Sequence, residues 1–165
     1  MNDNLNFFAL YRDTDLGYDN PYNWAENDDV PFAPLTKPLS QTRLGLVTTA
    51  SIYQPELGEQ GPAAPYNADA KFYQVYSLPT SERPDLRISH VGFDRVHTYA
   101  DDLDAYFPLA HLQQFEREGR VGSLSPRFHG APTNRSQRTT TETDAPAILA
   151  RLREDGAEAA VLVPI

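Results

Sequence analysis

Cysteine is absent from this sequence of 165 residues. That absence excludes disulfide bonds, thiolate nucleophiles and cysteine-ligated zinc or iron–sulfur sites within these residues. Long hydrophobic runs are also lacking, because no stretch approaches the roughly eighteen apolar residues that are typical of a membrane span. Residues 1–10 lack the basic segment followed by an apolar block that a secretory signal would have, so we expect a cytoplasmic protein.

Positive charge is scarce, with 14 Lys and Arg residues against 23 Asp and Glu residues and a net charge of −9. Nucleic-acid-binding proteins need a basic surface that neutralises phosphates, so this balance argues against a nucleic-acid partner. The hydrophobic content of 40% is ordinary for a soluble protein, and the length suits one domain with its own core. We therefore expect a single soluble domain.

Prolines interrupt the first forty residues, and aromatic residues are interspersed among them between Tyr18 and Phe32. Proline is poorly tolerated inside helices and central strands, whereas disordered tails are usually poor in aromatic residues. We predict that residues 1–40 form an extended arm, with a short helix near residues 4–12. Residues 41–165 are predicted to form the α/β domain.

Strand-like and helix-like segments alternate along residues 41–165. Apolar runs rich in β-branched and aromatic residues predict strands, and apolar residues at helical spacing predict helices. The predicted strands are 43–50, 71–78, 86–91 and 159–163, the predicted helices are 108–118 and 144–155, and the polar stretch 123–141 is predicted to be irregular. This order predicts a single three-layer, Rossmann-like α/β domain with a parallel sheet.

The ends of these elements carry further signals. Gly119 and Gly156 follow the two helices as C-terminal caps, and Asp144 precedes the second helix as an N-cap. The buried face of the second helix is predicted to consist of Ile148, Leu149 and Leu152. The last strand, 159–163, is apolar throughout, which is typical of a strand buried on both faces of a parallel sheet.

Ligands of open α/β sheets bind beyond the carboxyl ends of the strands, where Thr48, Thr49 and Ser89 are predicted to lie. His90 lies at the same kind of position, Asp94 follows four residues later, and His129 lies in the polar stretch. Histidine suits proton transfer near neutral pH, and a carboxylate can orient its second nitrogen. His90, Asp94 and His129 therefore form a candidate acid–base set, although each histidine could instead hydrogen-bond its own loop.

Residues 123–141 contain no acidic residue, and they include several arginines and small polar side chains. Guanidinium groups bind carboxylates through two parallel hydrogen bonds, which would suit an amino-acid-like substrate. The candidate substrate-binding residues of this stretch are Arg127, Arg135, Ser136, Gln137 and Arg138. The arginines could instead form structural ion pairs with the acidic arm or with Glu142 and Asp144. No zinc motif occurs, so we expect no metal and no cofactor.

Several short segments follow one another in the order seen in a bacterial family. They are 24–29, 31–35, 37–39, 46–50, 88–90 with Asp94, 107–109, 118–122, 127–130, and 155–156 through 163–164. With these segments the sequence resembles the glycine/sarcosine/betaine reductase selenoprotein B family, which also includes the selenoprotein of D-proline reductase. The resemblance extends over nearly the whole chain.

The resemblance implies reductive cleavage of a carbon–nitrogen bond in an amino acid or its N-methylated derivative. In that family a selenocysteine or cysteine attacks the substrate carbon, a nearby cysteine helps to resolve the adduct, and a pyruvoyl-bearing subunit activates some substrates. The redox pair resembles a U/C-x-x-C motif just after the final Val-Pro strand, and the present residues have no counterpart to it.

Three explanations of the missing nucleophile remain open. A UGA selenocysteine codon after Ile165 could have been read as a stop, a second subunit could carry the C-x-x-C half, or the domain could have been recruited to thiol-free chemistry. The leading hypothesis for function is a component of a selenoprotein-B-type reductase. The second is a cofactor-free lyase, isomerase or cyclase that acts on an amino-acid-derived substrate, with secondary metabolism as a plausible setting. The third is a non-catalytic scaffold that binds a partner through its arm. We also expect a homo-oligomer, because the last strand would leave a sheet edge and apolar surface to cover.

Overall fold

The computed structural model describes residues 28–58, 72–88, 102–131 and 136–165. The chain divides into two units, Met1–Ala33 and Pro34–Ile165, and every described helix and strand lies in the second. The predicted short helix at residues 4–12 and most of the predicted arm lie outside the described residues. The division into an arm, 1–40, and a domain, 41–165, remains a prediction.

The described elements are short. The strands are β1 (Arg43–Thr48), β2 (Ser51–Ile52), β3 (Tyr76–Pro79), β4 (Leu86–Arg87), β5 (Ser123–Leu124), β6 (Arg127–Gly130) and β7 (Ala159–Val163). The helices are α1 (Leu109–Arg117), α2 (Gln137–Thr139) and α3 (Ala145–Glu154), with a π-helix, Thr140–Asp144, joining the last two. Single 3-10 turns occur at Leu39–Gln41, Pro55–Leu57 and Leu103–Ala105. None of the described helices has the length and apolarity needed to cross a membrane.

The main sheet is built around β1. Strand β7 pairs with β1 in parallel from Leu44 to Thr48, while β5 and then β6 pair with it in parallel at its two ends. Because β7 follows β1 along this whole length, β5 and β6 must occupy the opposite side of β1. Strand β3 joins β6 in antiparallel fashion, and β2 pairs with β4 separately. The prediction of an α/β fold with parallel strands is confirmed, and the single three-layer Rossmann-like domain remains a prediction.

The two faces of β1 pack against different layers, since alternate strand residues point to opposite faces. Leu44 and Leu46 belong to the main core, together with Phe107, Phe128 and the α1 residue Leu112. On the other face α3 lies so close to the sheet that a Cβ on Gly45 would overlap the side chain of Leu152. A glycine in β1 is therefore what allows this helix to approach the sheet.

Two of the predicted caps are confirmed and one is wrong. Gly119 and Gly156 follow α1 and α3 with φ of 70° and 72°, the left-handed conformation expected of a C-terminal cap. Asp144 is buried inside a continuous helical stretch, and its side chain makes no capping hydrogen bond to α3. The helical stretch begins earlier, at Gln137, where the side chain of Ser136 accepts a hydrogen bond from the Thr139 amide.

The prediction that residues 123–141 are irregular is also wrong. This stretch contains β5, β6, α2 and the start of the π-helix. Its polar residues reduce the strand signal, but in the fold Arg127 and His129 face polar partners at the end of α3 and on β3. Partners of this kind come from distant parts of the chain, so a local pattern could not reveal them.

Two predictions of burial need correction. Ile148 is buried, but Leu149 is 46% exposed and therefore does not belong to the buried face of α3. Strand β7 is parallel, as predicted, but it is not buried on both faces because Leu162 is 70% exposed. The predicted strand at 71–78 begins only at Tyr76, and the strand predicted at 86–91 is described for Leu86–Arg87 alone.

Candidate functional site

Three parallel strands end at one edge of the sheet, where the sequence predicted a site. Thr48, the last residue of β1, is paired with Gly130 of β6 and with Val163 of β7. We call this the carboxyl edge. It is the position at which ligands of α/β sheets bind.

Two predicted site residues, Thr48 and Thr49, hold the carboxyl edge together. Thr48 is buried, and its Oγ1 accepts a hydrogen bond from the Ala50 amide at 3.1 Å. The Oγ1 of Thr49 accepts one from the Ile165 amide at 2.8 Å, which fastens the chain beyond β7 to the end of β1. The two hydroxyl groups thus shape this edge whether or not they also contact a ligand.

Ser136, Gln137 and Arg138 open the helical stretch that follows β6. The Ser136 hydroxyl accepts hydrogen bonds from the Thr139 amide at 3.2 Å and from the Thr139 hydroxyl at 3.0 Å. Arg138 lies 3.7 Å from Glu142, and both side chains are well exposed. That pair is one of the structural ion pairs considered as the alternative, and its exposure makes it weak and exchangeable.

Arg127 forms a tight ion pair on the face of the sheet covered by α3. Its Nε and Nη2 donate hydrogen bonds to Oδ1 of Asp155 at 3.0 and 2.6 Å, and Nη2 also donates to Glu154 at 2.8 Å. These hydrogen bonds raise the pKa of Arg127. Most of the donors that a substrate carboxylate would need are therefore directed to acids of the chain itself.

His129 is fully buried beside this ion pair. Its Nδ1 lies 2.9 Å from the Ser77 hydroxyl, which also accepts a hydrogen bond from Arg151 at 3.0 Å. The Ser77 hydroxyl oxygen can accept from Arg151 and either donate to Nδ1 or accept from it, so the tautomer of His129 decides which of the two donates. The Nε2 atom lies 3.3 Å from Oδ2 of Asp155, without the alignment of a hydrogen bond.

Burial is the main influence on the charge of His129. It lowers the pKa of His129, and the cations Arg127 and Arg151 lower it further, although the Asp155 carboxylate opposes them. Burial thus favours the neutral form of this ring, which is enclosed between the sheet and α3. In this arrangement His129 joins secondary-structure elements, and the substrate-exposed surface that a proton-transfer residue needs is lacking at its ring.

The remaining predicted site residues lie outside the described residues; they are Ser89, His90, Asp94 and Arg135. The acid–base set of His90, Asp94 and His129 and the arginine cluster therefore remain predictions. Within the described ranges, no grouping of three or more His, Asp or Glu side chains could hold a metal ion.

His129 and the side chains around it, Arg127, Ser77, Arg151 and Asp155, form a group that we call the buried cluster. Two segments that carried the family resemblance meet in it. Arg127–Gly130 forms β6, and Asp155 with Gly156 ends α3. Sequence reasoning did not single out Asp155, Ser77 or Arg151 as partners of His129. The only available signal was that the segments 127–130 and 155–156 both belonged to the same family pattern.

Comparison with known proteins identifies the family. The chain belongs to the glycine/sarcosine/betaine reductase selenoprotein B family, whose family model matches residues 10–164. The resemblance inferred from the sequence is thereby confirmed.

The similarity to individual curated proteins is modest. The chain is 26% identical to the glycine reductase complex component B subunit gamma of Carboxydothermus hydrogenoformans, over 138 residues that make up 82% of this chain and 31% of that protein. It is 24% identical to the betaine reductase complex component B subunit beta of Peptoclostridium acidaminophilum, over 140 residues, 83% of this chain and 31% of that protein. The D-proline reductase subunit gamma of Acetoanaerobium sticklandii is 25% identical over 140 residues, 79% of this chain and 52% of that protein.

The chain thus spans about a third of the length of the first two relatives and about half of the third. No solved structure matches it significantly.

Proposed function

We propose that this chain is a component of a selenoprotein-B-type reductase complex that acts on an amino acid or an N-substituted amino acid. The attacking thiolate or selenolate would form a bond to the substrate carbon while the carbon–nitrogen bond breaks and the amine leaves with its electron pair. A dithiol would supply the two reducing electrons. Because the chain contains no cysteine, the attacking group would come from outside these residues.

The carboxyl edge is our proposed place for the substrate. The backbone ends of β1, β6 and β7 converge there at Thr48, Gly130 and Val163. We propose that Thr49 borders the substrate. Arg138 lies 3.7 Å from Glu142 in an exposed ion pair, and we propose that it can bind the carboxylate of the substrate instead. Ser89, His90, Asp94 and Arg135 remain proposed contributors at the same edge, on the basis of sequence alone.

Two features of β7 carry the proposal of a partner: one edge of the strand is unpaired within the described residues, and one face is exposed at Leu162. Within the described part of the chain β7 pairs only with β1, and Leu162 on it is 70% exposed. Strands in parallel sheets are usually covered on both faces, and an unpaired edge is a template for another strand. We propose that the polypeptide carrying the thiol or selenol pairs with β7, so that its strand also ends at the carboxyl edge.

The test is reconstitution with the polypeptide, encoded by a neighbouring gene, that carries a U/C-x-x-C motif. Glycine, sarcosine, betaine and D-proline are each incubated with dithiothreitol, and the reduced products are measured by mass spectrometry. We expect product from the mixture and none from either chain alone. Turnover by the purified chain alone, without dithiol, would refute the proposal.

A matched pair of variants tests the docking surface. Leu162→Glu should prevent association with the partner, whereas Leu57→Glu, at a leucine that is 38% exposed in a 3-10 turn, should not. Both residues are exposed, so we expect stability changes within about 0.5 kcal/mol of wild type. Equal binding of the two variants would contradict the assignment of β7 as the contact.

The alternative of a cofactor-free acid–base enzyme receives no support from His129, whose ring is 0% exposed. The scaffold alternative predicts tight binding of a partner through the arm, residues 1–40, without turnover, so truncation of residues 1–40 should abolish that binding. We also propose that the chain is a homo-oligomer, which light scattering of the purified chain would test. A cytoplasmic location is a separate proposal. A three-layer Rossmann-like domain is likewise our proposal, supported by the packing of α1 residues and α3 residues against opposite faces of β1.

A further inference from the structure

A polar groove lies at the opposite edge of the sheet, where the parallel strands begin. Its volume is about 340 Å³, and it is lined by Lys37, Gln41, Arg43, Ser123, Gly156 and Glu158. Arg43 is the first residue of β1 and is paired in register with Ser123, the first residue of β5. The segments 37–39 and 155–156, singled out in the sequence, supply Lys37 and Gly156, and the proposed reductase function uses neither of them.

Two cationic side chains, Lys37 and Arg43, line this groove and retain hydrogen-bond donors. Arg43 donates from Nε to the Ser123 hydroxyl and from Nη1 to the Asp155 carbonyl, both at 3.3 Å. The ammonium of Lys37 lies 2.7 Å from Oε1 of Glu158. A guanidinium has five N–H groups and an ammonium has three, so both side chains retain donors after these contacts within the described residues.

Glu158 pairs with the Lys37 ammonium and with the backbone amide of Arg43, so it does not neutralise both cations. Its Oε2 accepts a hydrogen bond from the Arg43 amide at 2.8 Å, and this bond, followed by that from Lys37, lowers the pKa of Glu158. Each carboxylate oxygen therefore already has a partner, and the lining carries two positive charges against one negative charge. This is a local excess of positive charge in a chain whose net charge is −9.

Gly156 keeps the floor of the groove low. It has a φ of 72°, and a Cβ at this position would lie 2.9 Å from Nη1 of Arg43. The guanidinium thus lies directly over the turn that ends α3, where its contact with the Asp155 carbonyl fixes one of its nitrogens.

We propose that this groove binds a small oxyanion, either a carboxylate or an inorganic oxyanion, between Lys37 and Arg43. The guanidinium fork matches two oxygens of such a group, and the lysine adds a second charge. The lining is polar, which suits a small charged ligand rather than an apolar one. This site is distinct from the carboxyl edge and does not depend on the proposed reductase function.

The test is a titration of the purified chain with sodium acetate and, separately, with sodium sulfate, at an ionic strength held constant with chloride. Two-dimensional NMR follows the Nε–H signal of Arg43 and the amide signals of Ser123 and Gly156. We expect saturable shifts with at least one anion, and the anion that saturates at the lower concentration identifies the class. Shifts that do not saturate, or that chloride reproduces, would overturn the proposal.

Variants give the test its specificity. Arg43→Gln and Lys37→Gln should each weaken binding by about tenfold or more, the effect of losing one charge-assisted contact. Arg153→Gln, at an exposed arginine of α3 that does not line the groove, should leave binding unchanged. Should Arg43→Gln fail to fold, as judged by circular dichroism, Lys37→Gln and Arg43→Lys decide the outcome. Equal losses in the groove variants and in Arg153→Gln would refute the assignment.

Discussion

Replacing Gly130 with alanine should destabilise the domain through a single steric conflict. Gly130 is paired with Tyr76 between β6 and β3, and a Cβ on Gly130 would overlap the Tyr76 ring. The φ of Gly130 is not positive, so its backbone conformation accepts alanine. The cost therefore reports on displacement of the Tyr76 side chain rather than on backbone strain.

Tyr76 has little freedom to move away from the added methyl group. Its hydroxyl donates a hydrogen bond to the Ala50 carbonyl at 2.7 Å, and its ring meets Phe72 and Phe128 edge-on, with centroids 5.7 and 6.3 Å away. Overpacking costs about 1–3 kcal/mol and loss of the hydrogen bond about 1 kcal/mol, against a gain of about 0.5–1 kcal/mol from replacing glycine. We expect a net loss of about 1–3 kcal/mol in the free energy of unfolding.

Urea denaturation followed by circular dichroism measures this loss, and a double-mutant cycle with Tyr76→Ala identifies its cause. In the Tyr76→Ala background the Gly130→Ala change should cost less than about 0.5 kcal/mol, because the overlapping ring is gone. Gly119→Ala is the control for backbone strain, since Gly119 has a φ of 70° and no atom within 4 Å of its Cβ position. If the two changes in the cycle are additive, or if Gly130→Ala is as stable as wild type, the steric reasoning fails.

Three further predictions concern the buried cluster and the carboxyl edge. Because burial lowers the pKa of His129 in the fold, the unfolded chain binds a proton more readily, so stability should fall as the pH drops below about 6.5; a His129→Gln variant, compared by urea denaturation at several pH values, should show a flatter profile. Thr49→Val removes the acceptor of the Ile165 amide, and hydrogen exchange at that amide should accelerate while exchange in the core of the sheet does not. Asp155→Asn should lower the midpoint of thermal unfolding more than Glu154→Gln does, because Asp155 is buried and Glu154 is 70% exposed; equal midpoints would contradict the role of Asp155.

Local patterns were sufficient to predict β1, β7, α1 and the two glycine caps. In each case the signal is carried by adjacent residues, such as the apolar run of β7 or a glycine after a helix. The short strand β6 was missed because its polar residues are compensated by partners far along the chain, Ser77 and Asp155. Likewise the exposure of Leu162 depends on which elements cover that face of β7, and that is a property of the whole fold rather than of the segment 159–163.

The same contacts change how the family pattern should be interpreted in functional terms. Every residue of the segment 127–130 has a structural role within the fold. Arg127 binds Asp155, Phe128 fills the core, His129 bonds Ser77, and Gly130 makes room for a ring. Loss of activity after substitution of any of these would therefore follow from a damaged fold as readily as from lost chemistry.

Evidence about chemistry must instead come from positions where stability is unaffected, and the exposed face of β7 is such a position. Leu162 is 70% exposed, so its replacement changes the surface that a partner would meet and leaves the buried core intact. A loss of activity in the reconstituted mixture, with stability unchanged, would support β7 as the contact surface of the proposed partner.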